Sequence, residues 1–428
     1  MVKLQWLQVN KFRSVKPGTR LTFNEGHNVL LGQNGTGKTT LLNLIAAAVK
    51  SDFTDFKDEE FDLSYELASD KASANITVRN ENRSLSIPSE LKGISDLYSG
   101  ALSSAGGLGV PVMSFTAVVF GKSTGFEIKF DVNDRKGFVQ RTDKTAPRIS
   151  LEIVSQVVWG TIVMGLSQWL RVASVIEDAI PDCMGLFFEI TTSRFDESLR
   201  YFDNLGERQL HVTREANDGV DVTGSLDSAD IGERIIERVV REWGLDRYVL
   251  MDTDLPFLNR TIELLDFESA EAILELQSST KTETGGVMHL GGLRFYFQHQ
   301  GGWRVSEKML SYGQKRMLAF MHYVASAKST IIADELVNGL HHGWIRACFE
   351  LLGERQVFLT SQNPLLLDYL SFESPVDVRS TFILCSRDRN SEQMVWENMS
   401  QEAAEDFFDS YKVGFQQVGE LLQTKGLW

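Results

Sequence analysis

Gly32-Gln33-Asn34-Gly35-Thr36-Gly37-Lys38-Thr39-Thr40 decides the reading of this chain. The stretch has the form G-x-x-x-x-G-K-[ST]. An apolar run, Val29-Leu30-Leu31, precedes it, and Leu41-Leu42-Asn43-Leu44-Ile45-Ala46-Ala47-Ala48 follows. That order predicts strand, loop and helix. The glycines permit a tight backbone whose N–H groups turn inward on phosphate oxygens, at the positive end of the following helix. Asn34, Gly35, Thr36, Gly37, Lys38, Thr39 and Thr40 are therefore candidate nucleotide-binding residues. Lys38 is placed to reach β- and γ-phosphates, and the Thr39 hydroxyl to ligate Mg²⁺. A Gly-rich turn alone would carry no such meaning. In its strand–loop–helix setting it predicts binding of a nucleoside triphosphate.

Two later stretches complete the pattern. Leu310-Ser311-Tyr312-Gly313-Gln314-Lys315-Arg316 opens a predicted helix. A serine at a helix N-terminus followed by glycine offers a hydroxyl, free N–H groups and the helix dipole. Alone it would be an ordinary cap. Downstream, Ser329-Thr330-Ile331-Ile332-Ala333-Asp334-Glu335 reads as a buried parallel strand with two acids at its C-terminal end, where α/β sheets place ligands. Asp334 would hold Mg²⁺ through water, and Glu335 would polarise the attacking water as general base. Val357-Phe358-Leu359-Thr360 is a second buried strand, followed by Ser361-Gln362-Asn363-Pro364, whose polar groups would face a γ-phosphate.

Composition sets the bounds. The chain has 428 residues, and two lobes are the natural expectation at that length. Its net charge of −15 argues against a surface that coats nucleic acid, though not against a local basic patch. Cys183, Cys348 and Cys385 lie far apart and read as reduced core residues of a cytoplasmic protein. The pair His341-His342 belongs to no metal box. Met1-Val2-Lys3-Leu4-Gln5 runs into an alternating strand, which predicts no signal peptide. The apolar segment 153–176 contains Gln156, Gln168 and Arg171, so it reads as a buried helix and not a membrane span.

In chain order, 4–23 predicts two strands about a turn at Lys16-Pro17-Gly18. Between them, Asn10-Lys11-Phe12-Arg13-Ser14 carries a base, Arg13, that either touches the nucleotide or is a solvated hairpin charge. Residues 61–78 predict a strand pair turning at Ser69-Asp70-Lys71. The Ser- and Gly-rich 88–111 reads as a lid. Strands follow at 112–120 and 126–132, and helices over 150–180, 230–243 and 267–276. Residues 293–298 and 303–306 form a hairpin about His299-Gln300-Gly301-Gly302.

These motifs in this order resemble the Walker A, signature, Walker B and D-loop motifs of ABC-type ATPases, the last being Asn338-Gly339-Leu340-His341. The nearest flavour is the AAA-family group that includes SMC, RecF and OLD-type ATPases. The opening "LQVNKFRSV" and the stretch "SRFDESLRYFDNL" are also similar to bacterial proteins of that group. The resemblance implies an α/β fold: a P-loop NTPase head of the ABC type, with a parallel core sheet and an antiparallel β-subdomain, plus a mainly helical insertion lobe. The implied division is 1–150 and 286–428 for the two ATPase halves and 151–285 for the insertion.

It also implies an ATPase using ATP and Mg²⁺, with Thr39 and Asp334 at the metal and Glu335, Lys38 and Gln362 catalytic. Ser311 and Gly313 would cap the γ-phosphate bound to a second copy, in an ATP-sandwich homodimer or higher oligomer, and Arg13 would approach the nucleotide. The family usually has His where this chain has Gln362, which cannot carry a proton as imidazolium.

No long coiled coil is present for a structural-maintenance protein, and 375–428 is too short for an added nuclease domain. Two versions of a stand-alone head stay open. One is a sensor or scaffold of an anti-phage defence complex, controlling a separate effector such as a nuclease. The other is a RecF-like DNA repair ATPase, for which Lys and Arg must gather on the insertion face. A nucleotide-binding scaffold without turnover is a third class. Finally, Ala404, Phe408, Tyr411, Phe415, Val418 and Leu422 predict one helical face, packed on the chain's own sheet or, with Leu427 and Trp428, serving as a contact for a partner.

Overall fold

The structure is a computed structural model of the 428-residue chain. It describes all residues except 82–112, 122–123, 132–135, 147, 152–157, 174–178, 189–193, 216–219, 225–228, 283–284, 415 and 428. The lid expected at 88–111 and the end residue Trp428 lie outside the described residues. The chain divides into two units: 1–192 with 328–336 and 354–428, and 193–327 with 337–353.

The first unit contains the parallel core sheet. Its strand order runs Thr330–Ala333, Gln356–Leu359, His27–Leu31, Phe382–Arg387 and Met394–Asn398. The first four are parallel and the last is antiparallel. Both Thr330–Ala333 and Gln356–Leu359 are buried at every position, which is why, after a polar first residue, they read as continuous apolar runs and not as alternating ones. An eight-stranded antiparallel sheet, which includes Lys3–Phe12, Phe61–Ala68, Ser73–Asn80 and Ser114–Phe120, makes up the rest of the β-structure in this unit. Phe61–Ala68 alternates strictly between buried and half-buried residues, as a sheet with one covered face requires. Leu41, Leu44 and Ile45 of the helix Lys38–Lys50 share one buried cluster with Leu30, Ile332, Phe358 and Ile383 of the parallel sheet and Leu4, Leu63 and Ile76 of the antiparallel one. That helix is fixed from two sides, and so is the loop that feeds it.

The apolar segment expected as a buried helix contains Val158–Ala173. Val158, Ile162, Leu166 and Trp169 are all buried, at spacings of one helical turn. Among the described residues no helix is long and apolar enough to cross a membrane. All three cysteines are free and buried. Near the C-terminus, helix Gln401–Val413 buries Ala404, Phe407 and Phe408, and Phe407 meets the rings of Phe372 and Phe382. Gly414 ends it in a left-handed conformation, and Val418–Thr424 follows with Val418 and Leu422 buried. The described part of the apolar stripe is therefore core of this unit, with Tyr411 half-buried against Phe372.

The second unit has a six-stranded antiparallel sheet together with helices, among them Phe195–Asp203, Ala229–Arg241, Pro256–Leu265 and Tyr312–Ser326. The hairpin about His299–Gly302 is present, its strands paired Tyr296 to Ser306 and Gln298 to Arg304. One expectation is corrected. In the stretch 267–276, read as helix, residues 269–276 belong to the strand Ser269–Thr282, which pairs with Gly285–Gln298 on one side and Arg247–Met251 on the other. The Ala, Glu and Leu there favour helix locally, but pairing on both edges and burial of Ala270, Ala272 and Leu274 override that preference.

Candidate functional site

The phosphate loop leaves the central strand His27–Leu31 and enters Lys38–Lys50. Gly32 adopts φ +145°, and a Cβ there would lie 2.0 Å from the backbone oxygen of Cys385. Gly37, the N-cap, adopts φ +88°, and a Cβ there would lie 2.3 Å from the sulfur of Met394. Both positions therefore need glycine for conformation, and Gly32 also for space, because the atom it would meet is backbone. No side chain caps the helix at Gly37, so its first-turn N–H groups keep their capacity for an anionic ligand. The loop is braced from outside as well. Arg387 Nε donates to the Gly35 carbonyl at 2.7 Å and Trp396 Nε1 to that of Thr36 at 3.3 Å. Lys38 Nζ donates to the carbonyls of Gly32 and Gln33, at 2.6 and 3.1 Å. Burial pushes the thiol of Cys385 up to about 12, against an opposing pull from Lys38, so it stays protonated and unreactive.

Beside the loop is an open cleft of about 310 Å³, lined by Gly32, Gln33, Asn34, Lys38, Ser361 and Gln362 with Leu30 and Leu31 beneath. The acids follow the strand Thr330–Ala333, which lies two places from His27–Leu31 in the sheet. Thr39 Oγ1 donates to Asp334 Oδ2 at 2.5 Å, although 295 residues separate them. The other oxygen of Asp334 accepts from the Thr360 hydroxyl. Glu335 turns into the left-handed region at φ +49°, its N–H donating to Thr360 Oγ1 at 2.9 Å. Its carboxylate accepts the side-chain amide of Gln362. Lys38, Thr39, Asp334, Glu335 and Gln362 are thus gathered at one cleft, in one unit.

The donor set suits Mg²⁺. A hydroxyl and a carboxylate, both hard oxygen ligands, stand together at the mouth of a phosphate cradle, and Mg²⁺ is ordinarily held by one or two such groups plus phosphate and water. Among the described residues no cluster of three or more His, Cys, Asp or Glu could hold a metal by itself. Thr39 and Asp334 would hold the ion, which when bound neutralises charge on β- and γ-phosphate oxygens.

Arg13 is engaged elsewhere. It sits at φ +45°, and its guanidinium makes two bonds of 2.6 Å to Glu59 while lying over the rings of Phe12 and Phe56. Hydrogen bonding to Arg13 holds Glu59 below the usual carboxylate range, and the same bond raises Arg13. Ser311 and Gly313 belong to the second unit. Ser311 caps Tyr312–Ser326, its hydroxyl accepting from Gln314 N at 3.3 Å and its N–H donating to the Gln314 side chain at 2.9 Å. A Cβ added at Gly313 would lie 3.1 Å from the Trp344 ring and 3.2 Å from the Gly339 carbonyl oxygen, so the segments around Gly313 and Gly339 run close together within that unit.

Two contributors escaped the sequence. Thr360 was legible only as the last residue of an apolar strand. Arg387 reaches the loop from a strand 352 positions away, with no local motif to mark it.

Comparison with family models gives two matches. Residues 7–156 match an AAA domain, and 187–368 match an AAA domain whose description couples it to an AbiEii toxin of a Type IV TA system. Comparison with curated proteins gave no match. Among solved structures, similarity extends to an SmcHead bound to the C-winged helix domain of ScpA, at 13% identity and TM-score 0.38, covering 94% of this chain and 99% of that one. It extends also to the SMC head domain from Thermotoga maritima, at 12% and 0.35, covering 93% and 99%. A third is the Smc head domain from Pyrococcus furiosus with an extended coiled coil, bound to the C-terminal domain of ScpA, at 13% and 0.34, covering 96% and 100%. The chain carries AAA-type ATPase sequence over both matched stretches, with the phosphate loop in the first and Ser311, Asp334, Glu335 and Gln362 in the second.

Proposed function

We propose that this chain binds and hydrolyses ATP as an ABC-type ATPase that works in pairs or larger assemblies and controls a separate effector in a bacterial anti-phage defence complex. The observation that carries the ATPase reading is the meeting of Thr39, Asp334, Glu335 and Gln362 beside the phosphate loop. Loop N–H groups and Lys38 would bind the phosphates, and Glu335 would take the proton of the attacking water while Gln362 holds its carboxylate.

Ser311 supports the assembly reading. It is exposed, and its neighbours Met309 and Tyr312 are 73% and 65% exposed. Apolar side chains standing in water beside a helix N-terminus suit a surface that a second copy covers. The second family match, with its link to a toxin–antitoxin system, supports an ATPase that works beside an effector. The net charge of −15 favours this over a DNA clamp.

The test is phosphate release from ATP by the full chain with Mg²⁺, with Lys38→Ala as control. The proposal expects turnover that Lys38→Ala abolishes. Turnover unaffected by that substitution contradicts it.

A further inference from the structure

Thr360 is buried, 1% exposed, at the end of the strand Gln356–Leu359, with its N–H bonded to the Ala333 carbonyl at 3.1 Å. Its hydroxyl does two things at once. It donates to Asp334 Oδ1, and it accepts the N–H of Glu335 at 2.9 Å. A hydroxyl has one proton to give and lone pairs to receive, so this single atom satisfies both partners without conflict. It ties the side chain of one acid to the main chain of the next.

Glu335 needs that tie. A non-glycine residue at φ +49° is strained and persists only where its surroundings hold it. The bond from Glu335 N–H to Thr360 fixes the turn that aims the glutamate side chain at Gln362. Asp334 is clamped between two threonines, Thr39 on one oxygen and Thr360 on the other. This sets the carboxylate plane before any ligand arrives.

We infer that Thr360 is a positioning residue for the reaction, aligning both acids through one hydroxyl; the inference rests on the ATPase reading above. Thr360→Val keeps the shape and removes the hydroxyl, and with it the bonds to Glu335 N–H and to one Asp334 oxygen. The expected result in the full chain is a fall in kcat of about ten- to a hundredfold, the size of a lost hydrogen bond to a charged group, with the KM for ATP nearly unchanged. The Mg²⁺ concentration for half-maximal rate should rise, and Thr360→Ser should restore both. A merely structural role would lower thermal stability without moving the Mg²⁺ requirement.

If Thr360→Val does not fold, Thr360→Ala against Thr360→Ser makes the same comparison. If the wild type binds ATP without turnover, the Mg²⁺-dependent gain in ATP affinity replaces kcat as the readout, and Thr360→Val should lose it. Wild-type kcat and Mg²⁺ dependence in Thr360→Val overturn the inference and leave the ATPase reading intact. A wild type that does not bind ATP overturns both.

Discussion

The side-chain amide of Gln362 donates to the carboxylate of Glu335. An ionised carboxylate only accepts, so the nitrogen of the amide must face Glu335, leaving the carbonyl oxygen and a second N–H for other partners. This glutamine can orient water or phosphate but cannot change its charge.

That relationship predicts a pH signature. Replacing Gln362 with a residue that titrates, Gln362→His, should add a limb to the pH–rate profile near the ordinary histidine value, about 6.5. Gln362→Ala should lower kcat by about tenfold or more with little change in ATP affinity. A profile for Gln362→His that superimposes on the wild type would remove Gln362 from the reaction.

Gly32 predicts a failure of binding. An added Cβ meets the Cys385 backbone oxygen, which no side-chain rotation can relieve, and the φ of +145° is disfavoured for any other residue. Gly32→Ala should cost about 1–3 kcal/mol of stability and abolish ATP binding. Calorimetric titration and denaturant melts would show both. Normal binding by this variant would contradict the loop geometry.

His322 predicts acid sensitivity. It is buried, stacked on Tyr201 at 5.1 Å and edge-on to Phe202 and Phe257. Ser198 Oγ donates to the Ala319 carbonyl, so it accepts from His322 Nδ1–H at 3.2 Å, and the buried Nε2 has no hydrogen-bond partner among the described residues. Burial lowers this group to about 4. Between about 6.5 and 4 the unfolded chain binds the proton and the folded chain does not. Stability therefore falls as pH drops through that window, by roughly 3 kcal/mol once below it. Urea melts from pH 7 to 4 should show the slope, and His322→Phe should flatten it. An unchanged slope in the variant would exonerate His322.

Ser311 predicts an assembly defect. Ser311→Arg removes the cap, at a cost of about 1 kcal/mol, and places a bulky cation where a second copy's nucleotide would sit. ATP binding should persist while turnover and ATP-dependent increase in mass, read by light scattering, disappear. Full turnover by the variant would rule out a shared site.

Much of the site was legible because its chemistry is written in local motifs. The glycines of the phosphate loop and the acids closing the strand Thr330–Ala333 each carry their own signal within a few residues. What was not legible depends on pairing across the chain. Ser269–Thr282 is a strand because two neighbours claim it, against its own helix-favouring residues. Arg13 is committed to Glu59, 46 positions on, in a stretch with no motif. Thr360 and Arg387 act through bonds that only the folded sheet creates.

The central claim is that Glu335 is the base at an ATP site. Its most direct test is ATP binding and single-turnover hydrolysis by Glu335→Gln beside the wild type. The account predicts that the variant binds ATP with affinity within about twofold of the wild type and cleaves it at least about a hundredfold more slowly. Cleavage by Glu335→Gln at the wild-type rate would contradict it.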